Sequence, residues 1–243
     1  MKTTTGRPPR TTPTVADWDW PSLTASLNKQ GHAVTPPILS PAECADLINH
    51  YDEPEHWRST VDMARYRFGA GQYRYFDHPL PAPVTRLRTE CYPHLAPIAN
   101  AWQEQLRLPQ RYPDNLADYL TICHESGQHK PTPLILRYHP DGYNALHQDI
   151  YGEQAFPLQL MVMLSEAGKD YTGGEFVLVE NLPRAQSRAK VITLEQGQAV
   201  IWPTRHRPGQ GNRGHYRISV RHGVSTVHTG QRHTLGVIFH DAT

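Results

Sequence analysis

The segment Leu134-Ile135-Leu136-Arg137-Tyr138-His139-Pro140-Asp141-Gly142-Tyr143-Asn144-Ala145-Leu146-His147-Gln148-Asp149 decides how this chain is read. It opens as an apolar strand and closes on His-x-Asp. Alternate residues of an extended chain face the same side, so His147 and Asp149 can reach one metal ion. A second imidazole from His222 completes two histidines and one carboxylate on one face of an octahedron. Three coordination positions stay open, the arrangement that suits non-haem Fe(II) and oxygen chemistry, although Mn or Ni can take the same ligands.

His-x-Asp alone is weak. With 15 His and 12 Asp in 243 residues, chance supplies about 0.7 such pairs, so its company has to carry the reading. Ten residues beyond His222 comes Arg232, which opens the run Arg232-His233-Thr234-Leu235-Gly236-Val237-Ile238-Phe239. The guanidinium of Arg232 and the hydroxyl of Thr234 alternate onto one face of an apolar strand. Such a fork of donors can hold the distal carboxylate of a dicarboxylate through two parallel charge-assisted bonds.

His147-Gln148-Asp149, Gly173-Gly174-Glu175-Phe176, His222 and Gly230-Gln231-Arg232 follow one another along residues 134–241. In order and spacing this pattern resembles the Fe(II)/2-oxoglutarate-dependent dioxygenase superfamily. A closer resemblance, along almost the whole chain, is to a bacterial family of such oxygenases labelled as acting on alkylation-damaged DNA. It shows in Tyr73-Arg74-Tyr75-Phe76, Leu146-His147-Gln148-Asp149-Ile150-Tyr151-Gly152-Glu153, Pro183-Arg184-Ala185-Gln186-Ser187-Arg188 and Arg221-His222-Gly223-Val224-Ser225.

The resemblance implies His147, Asp149 and His222 as metal ligands and Arg232 as the residue that binds the far carboxylate of 2-oxoglutarate. Tyr138 and Thr234 read either as further contacts to that cosubstrate or as core residues. Fe(II), 2-oxoglutarate and O2 are the implied cofactors. The implied reaction hydroxylates a C–H bond while 2-oxoglutarate is split to succinate and CO2. On an N-methyl group the resulting alcohol would collapse to formaldehyde and a demethylated base, making single-stranded or damaged nucleic acid a candidate partner. Hydroxylation of a peptidyl proline or of a small metabolite is the alternative within the same chemistry. A non-catalytic metal or 2-oxoglutarate sensor on the same scaffold is a further alternative, against which the presence of both the triad and Arg232 argues. A nucleic-acid-binding protein with incidental histidines would keep every activity in His147→Ala.

Length and composition set mild bounds. A chain of 243 residues suits one domain with a substantial core, and a net charge of +1 names no partner. Cys44, Cys91 and Cys123 are odd in number and lack metal-ligand spacing, so they read as reduced thiols of a cytoplasmic protein. Met1 to Thr14 are polar and proline-bearing, which argues against a signal peptide and for a disordered tail. No run reaches the length of a membrane span. The expected organisation is a flexible polar tail over residues 1–20, a mainly helical support over 21–130, and an oxygenase core over 131–243 that forms one structural domain with 21–130.

Ser40-Pro41-Ala42-Glu43 is a helix start, with a capping serine, proline at the first helical position and glutamate completing a capping box. That helix is expected to run to about Tyr51. Val84 to Tyr92 and Leu95 to Leu106 read as two further helices, and Asp114 as the cap of another that ends before Gly127. Strands are expected near 134–139, 158–165, 174–180, 189–195, 199–204, 216–221 and 232–239. The fold class is therefore α+β, a double-stranded β-helix (jelly roll) with N-terminal helices packed on one sheet.

Between Asn181 and Arg232 nine basic side chains face Glu195 alone. They would draw an anion to the barrel mouth if they rim it, or form a solvated outer face if they do not. Arg205 to Arg217 reads as a lid over the site. Tyr73 to Phe76 offers either a stacking surface for a base or an aromatic core strand. His228 rivals His222 as a ligand, but its spacing to Arg232 is too short for the superfamily pattern. His139, His206, His215, His233 and His240 read as surface or core residues, Gly173-Gly174 as a tight turn, and Glu175 as structural.

Overall fold

The computed structural model of the chain describes residues 14–149, 152–212 and 214–243. Asp19 caps helix α1 (Trp20–Gln30) by accepting the Ser22 N–H at 3.1 Å, and Gly31 closes it in the left-handed region. Strand β1 (Ala33–Pro37) carries two prolines, which its edge position tolerates. The Ser40–Glu43 capping box starts α2 (Pro41–Asn49). Strands β2 (Trp57–Asp62), β3 (Gly69–Ala70) and β4 (Gln72–Phe76) precede the long helix α3 (Ala82–Gln105) and the shorter α4 (Leu116–Glu125).

The remaining chain is stranded. It runs through β5 (Leu134–Tyr138), β6 (Tyr143–His147), β7 (Leu158–Met163), β8 (Tyr171–Gly173), β9 (Phe176–Asn181) and β10 (Arg188–Ile192). It ends with β11 (Gln198–Pro203), β12 (His206–Gly211), β13 (Gly214–Val224), β14 (Val227–Gly230) and β15 (Arg232–Val237). The major sheet has the order β1-β11-β7-β15-β5-β4-β2, and the minor sheet β10-β9-β13-β6-β3 with β12 paired to β13. The two sheets face each other as a jelly roll without closing into a barrel.

Alternation along the central strands builds two cores. Leu158, Leu160 and Val162 of β7 pack with Leu27, Leu47, Leu95 and Trp102 of the helices. Met161 and Met163 face inward and join Phe176, Leu178, Trp202 and Val220 between the sheets. With both faces covered, every residue of β7 is buried, which accounts for its nearly continuous apolar run. Arg88 of α3 ties the helical layer to the end of β15: its guanidinium donates to the Ile238 and Phe239 carbonyls at 2.8 and 3.0 Å and to Asp241 at 2.7 Å.

Several features differ from expectation, among them the cap of α4, where Asn115 and not Asp114 accepts the Asp118 N–H at 2.9 Å. The segment 21–130, read as mainly helical, also supplies β1 to β4, three of which extend the major sheet. Residues 1–13 of the expected tail lie outside the described residues, but Val15 and Trp18 within it are buried against the helices, because apolar side chains that close together can be packed. Val84–Tyr92 and Leu95–Leu106 form the single helix α3, which contains Pro93 and Pro97. Its continuous buried face, with Tyr92, Leu95, Ala99 and Trp102, outweighs the roughly 3 kcal/mol an interior proline costs. The expected lid is a regular hairpin, β12 against β13, running from His206↔Ser219 to Gly211↔Gly214. Among the described residues, no helix is long and apolar enough to cross a membrane.

Candidate active site

His147 ends β6 and pairs in register with His222 of β13, so the ladder itself sets the two imidazoles side by side. Their ring centroids are 4.2 Å apart. Asp149, two residues beyond His147, brings Oδ1 within 3.4 Å of His147 Nε2 and Oδ2 within 3.1 Å of His222 Nε2. One ligand atom from each residue lies within 4.8 Å of the other two. His147 Nδ1 is 2.8 Å from the Ala145 carbonyl, which places the ring proton on Nδ1 and turns the Nε2 lone pair into the cluster. Gln159 Nε2 donates to Asp149 Oδ2 at 2.9 Å. Trp202 and Phe176 flank the His222 ring at 5.0 and 5.8 Å.

Burial alone would raise the Asp149 carboxyl, but the two imidazoles hold it well below the usual carboxylate range. Burial lowers His222, and the Asp149 charge offsets only part of that. For His147 the burial that lowers it is overcome by the Asp149 hydrogen bond and charge, which raise it. The group is thus one buried anion with two imidazoles competing for it, a donor set that a dication can satisfy once both rings are neutral.

On β15 the inward residues are Arg232 and Thr234. Arg232 pairs in register with Tyr138 of β5, and its guanidinium lies 5.6 Å from the Tyr138 ring and 5.9 Å from the Tyr171 ring. It is completely buried. Among the described residues none of its three side-chain nitrogens has a hydrogen-bond partner, nor does the Thr234 hydroxyl. An unpaired buried guanidinium is costly, so these donors fit a carboxylate that completes them. Gly174, at φ +63°, is what lets the chain lie against this side chain: a Cβ there would come within 2.8 Å of Arg232 Cδ. Tyr138 is buried, accepts from the Asn144 amide at 3.2 Å, and burial pushes its hydroxyl up to about 12 despite the Arg232 charge.

The three clustered residues, Tyr138 and Thr234 all line one cavity of about 230 Å³. Its other walls are mostly apolar and include Phe68, Tyr73, Leu134, Leu136 and Ile238. Phe68 is also exposed at the lip and stacks on exposed Tyr66, centroids 5.6 Å apart and planes 19° apart.

Other sequence candidates fall elsewhere. His228 is exposed on β14, and Glu175 accepts from the Ser225 hydroxyl. His233 and His240 are buried, and burial lowers each to about 4. Tyr75 and Phe76 are core residues while Tyr73 reaches the cavity. The basic run divides: Arg207 and Lys190 contact buried Glu180 at 2.6 and 2.8 Å, whereas Arg184, Arg188, Arg205, Arg217 and Arg221 are exposed. Arg213, Ile150 and Tyr151 lie outside the described residues. Gln159 and Asn144 were missed by sequence reasoning. Gln159 had a signal, as the one amide in an otherwise apolar strand.

A family model named Oxygenase-NA, described as an oxygenase catalysing oxidative methylation of damaged DNA, matches residues 71–242. The chain belongs to this oxygenase family. The oxygenase is also 48% identical over 167 residues to the uncharacterized protein Rv2227 of Mycobacterium tuberculosis, covering 69% of this chain and 72% of that one. Its fold is similar to a Trichoplax adhaerens prolyl hydroxylase solved with a hypoxia-inducible-factor peptide, at 13% identity, TM-score 0.56, and 89% and 86% coverage of the two chains. It is similar too to a 2OG-Fe(II) oxygenase-family oxidoreductase from Burkholderia pseudomallei, at 15% identity, TM-score 0.53 and 92% coverage of each. These likenesses place the oxygenase in a jelly-roll fold that two facing sheets and outer helices had already defined.

Proposed function

We propose that the oxygenase is an Fe(II)- and 2-oxoglutarate-dependent dioxygenase that oxidatively demethylates an N-alkylated base in single-stranded or damaged nucleic acid. The observation that carries the reaction class is the set of orphaned donors on Arg232 and Thr234 of β15, with Thr234 lining the same cavity as the two-histidine, one-carboxylate cluster. His147, Asp149 and His222 would hold the ferrous ion, which supplies oxygen activation when bound. Arg232 and Thr234 would grip the far carboxylate of 2-oxoglutarate, with Tyr138 beside them. Gln159 fixes the Asp149 carboxylate and the Ala145 carbonyl fixes the His147 tautomer, so the ligands are oriented in advance. Phe176, Trp202 and the leucine walls exclude water from the reacting centre.

Three observations favour a base as substrate: the apolar cavity, Tyr73 within it, and the exposed Tyr66–Phe68 stack at its lip. Aromatic faces of this kind hold unstacked bases. Exposed Arg205, whose carbonyl accepts the amide of cavity residue Gln148 at 3.1 Å, would meet the phosphate backbone. The buried, unbridged cysteines fit a reducing compartment such as the cytoplasm.

The test is succinate and formaldehyde release by Fe(II)-loaded protein with 2-oxoglutarate. The additions are a methylated single-stranded oligonucleotide, its unmodified counterpart, a proline peptide or buffer, with His147→Ala as control. Stimulation by the methylated strand alone, with matching formaldehyde and loss in the variant, is expected. Stimulation by the peptide instead, or turnover indifferent to all additions, would send the substrate assignment to a peptidyl proline or a small metabolite.

A further inference from the structure

Three more ligand-type side chains converge away from the cavity. His50, Glu53 and His56 follow α2 at three-residue spacing, carried by two short 3-10 turns, His50–Asp52 and Pro54–His56. One ligand atom from each lies within 4.8 Å of the other two. The two imidazoles stack with centroids 4.7 Å apart and planes 26° apart, and His56 Nε2 is 2.8 Å from Glu53 Oε2. His50 Nδ1 lies 2.7 Å from the Asp46 carbonyl. That contact puts the ring proton on Nδ1 and leaves the Nε2 lone pair unused, which is the supporting bond a metal-ligating histidine needs.

The turn is anchored from below. Tyr51, next to His50, is fully buried, and Trp57, next to His56, stacks on Phe76 at 4.5 Å. The Tyr51 and Trp57 rings themselves meet at 5.6 Å. On the backbone, the Glu53 N–H donates to the His50 carbonyl at 3.1 Å and the Asp77 N–H to the His56 carbonyl at 2.9 Å. A ligand set held this way has little left to order when an ion arrives. All three side chains are half-exposed, so an ion reaches them from solvent without opening the fold. Two imidazoles, one carboxylate and a water make the four-coordinate set that Zn(II) takes.

We propose that His50, Glu53 and His56 form a second metal site, selective for Zn(II) or a similar borderline divalent ion, that staples the end of α2 to the start of β2. It shares no residue with the cavity, so its occupancy is independent of the Fe(II) reading. Two imidazoles make hard ions a poor fit, and the lack of a thiolate makes very soft ions one.

The test is Zn(II) titration of the full chain by calorimetry, with stoichiometry checked by elemental analysis. Each of His50→Ala and His56→Ala is expected to lower the stoichiometry by one. Glu53→Gln should weaken that binding by more than the roughly 10–100-fold that follows loss of a supporting hydrogen bond. Zinc should raise the unfolding temperature of the wild type and lose this part of its effect in the variants. Exposed-histidine controls, His215→Ala and His228→Ala, should keep the site. Stoichiometry unchanged in both His50→Ala and His56→Ala, or lost instead in His215→Ala or His228→Ala, would overturn the proposal.

Discussion

Replacing Arg232 by methionine should move two quantities in opposite directions. The guanidinium is wholly buried with no hydrogen-bond partner among the described residues, and the Tyr138 and Tyr171 rings, 5.6 and 5.9 Å away, together with the Glu175 charge offset its burial only in part. Replacing even a paired buried charge by an apolar chain of similar volume often stabilises a protein, by about 1–4 kcal/mol. Arg232→Met should therefore stabilise the protein without cosubstrate by a comparable amount, raising its unfolding temperature by about 2–4 °C per kcal/mol for a chain of this size. With 2-oxoglutarate the sign reverses. Losing one partner of a buried charge pair costs about 3–5 kcal/mol, or roughly a hundred- to several-thousand-fold in affinity. Thermal unfolding of the metal-loaded protein with and without 2-oxoglutarate reads both effects. A variant that melts below the wild type without cosubstrate, yet keeps the full 2-oxoglutarate shift, would refute the reasoning.

Gln159→Leu fills the same buried space but releases the Asp149 carboxylate. It should weaken Fe(II) or Mn(II) binding by about 10–100-fold, and a metal titration with unchanged affinity would contradict this. Gly174→Ala places a Cβ at φ +63° against Arg232 Cδ. It should cost on the order of 1–3 kcal/mol and weaken 2-oxoglutarate, whereas an unaltered melting temperature would show that the contact can relax. Burial raises the Glu180 carboxyl, but Arg207 and Lys190 outweigh it and hold the group below its usual 4.5. Its stabilisation is complete above that usual value and disappears as pH falls through the lower folded value. Glu180→Gln should accordingly lower the unfolding temperature strongly near neutrality and progressively less as pH falls below 4.5; an equal drop across that range would refute the linkage.

The parts of the fold legible in the sequence are those where one periodicity has one consequence. In β15 Arg232 and Thr234 sit two residues apart at the head of an apolar run, so the strand and its inward face are readable together. His147 and Asp149 are readable for the same reason, and their meeting with His222 follows from the resemblance and not from spacing. Helix α1 is less visible: Asp19 and Gly31 punctuate it, but only Leu23 and Leu27 are buried along it. The half-exposed strand β2 mixes polar and apolar residues and acquires its place only by pairing with β4. In α3, Pro93 suggests a boundary that tertiary packing removes. The role of Gln159 depends on a partner ten residues away in sequence, and the empty donors of Arg232 emerge only once the surrounding strands are in place.

The central claim is that the cluster and Arg232 hold iron and a 2-oxo acid together. The most direct measurement is anaerobic visible absorption of the protein titrated with Fe(II) and then 2-oxoglutarate, which reports chelation of the ion by a keto acid through a charge-transfer band. The account predicts a band that needs both additions, is lost in the His147→Ala/His222→Ala double variant, and requires far more 2-oxoglutarate in Arg232→Met. A wild-type protein that binds Fe(II) but develops no band, or a band that survives in the double variant, would contradict it.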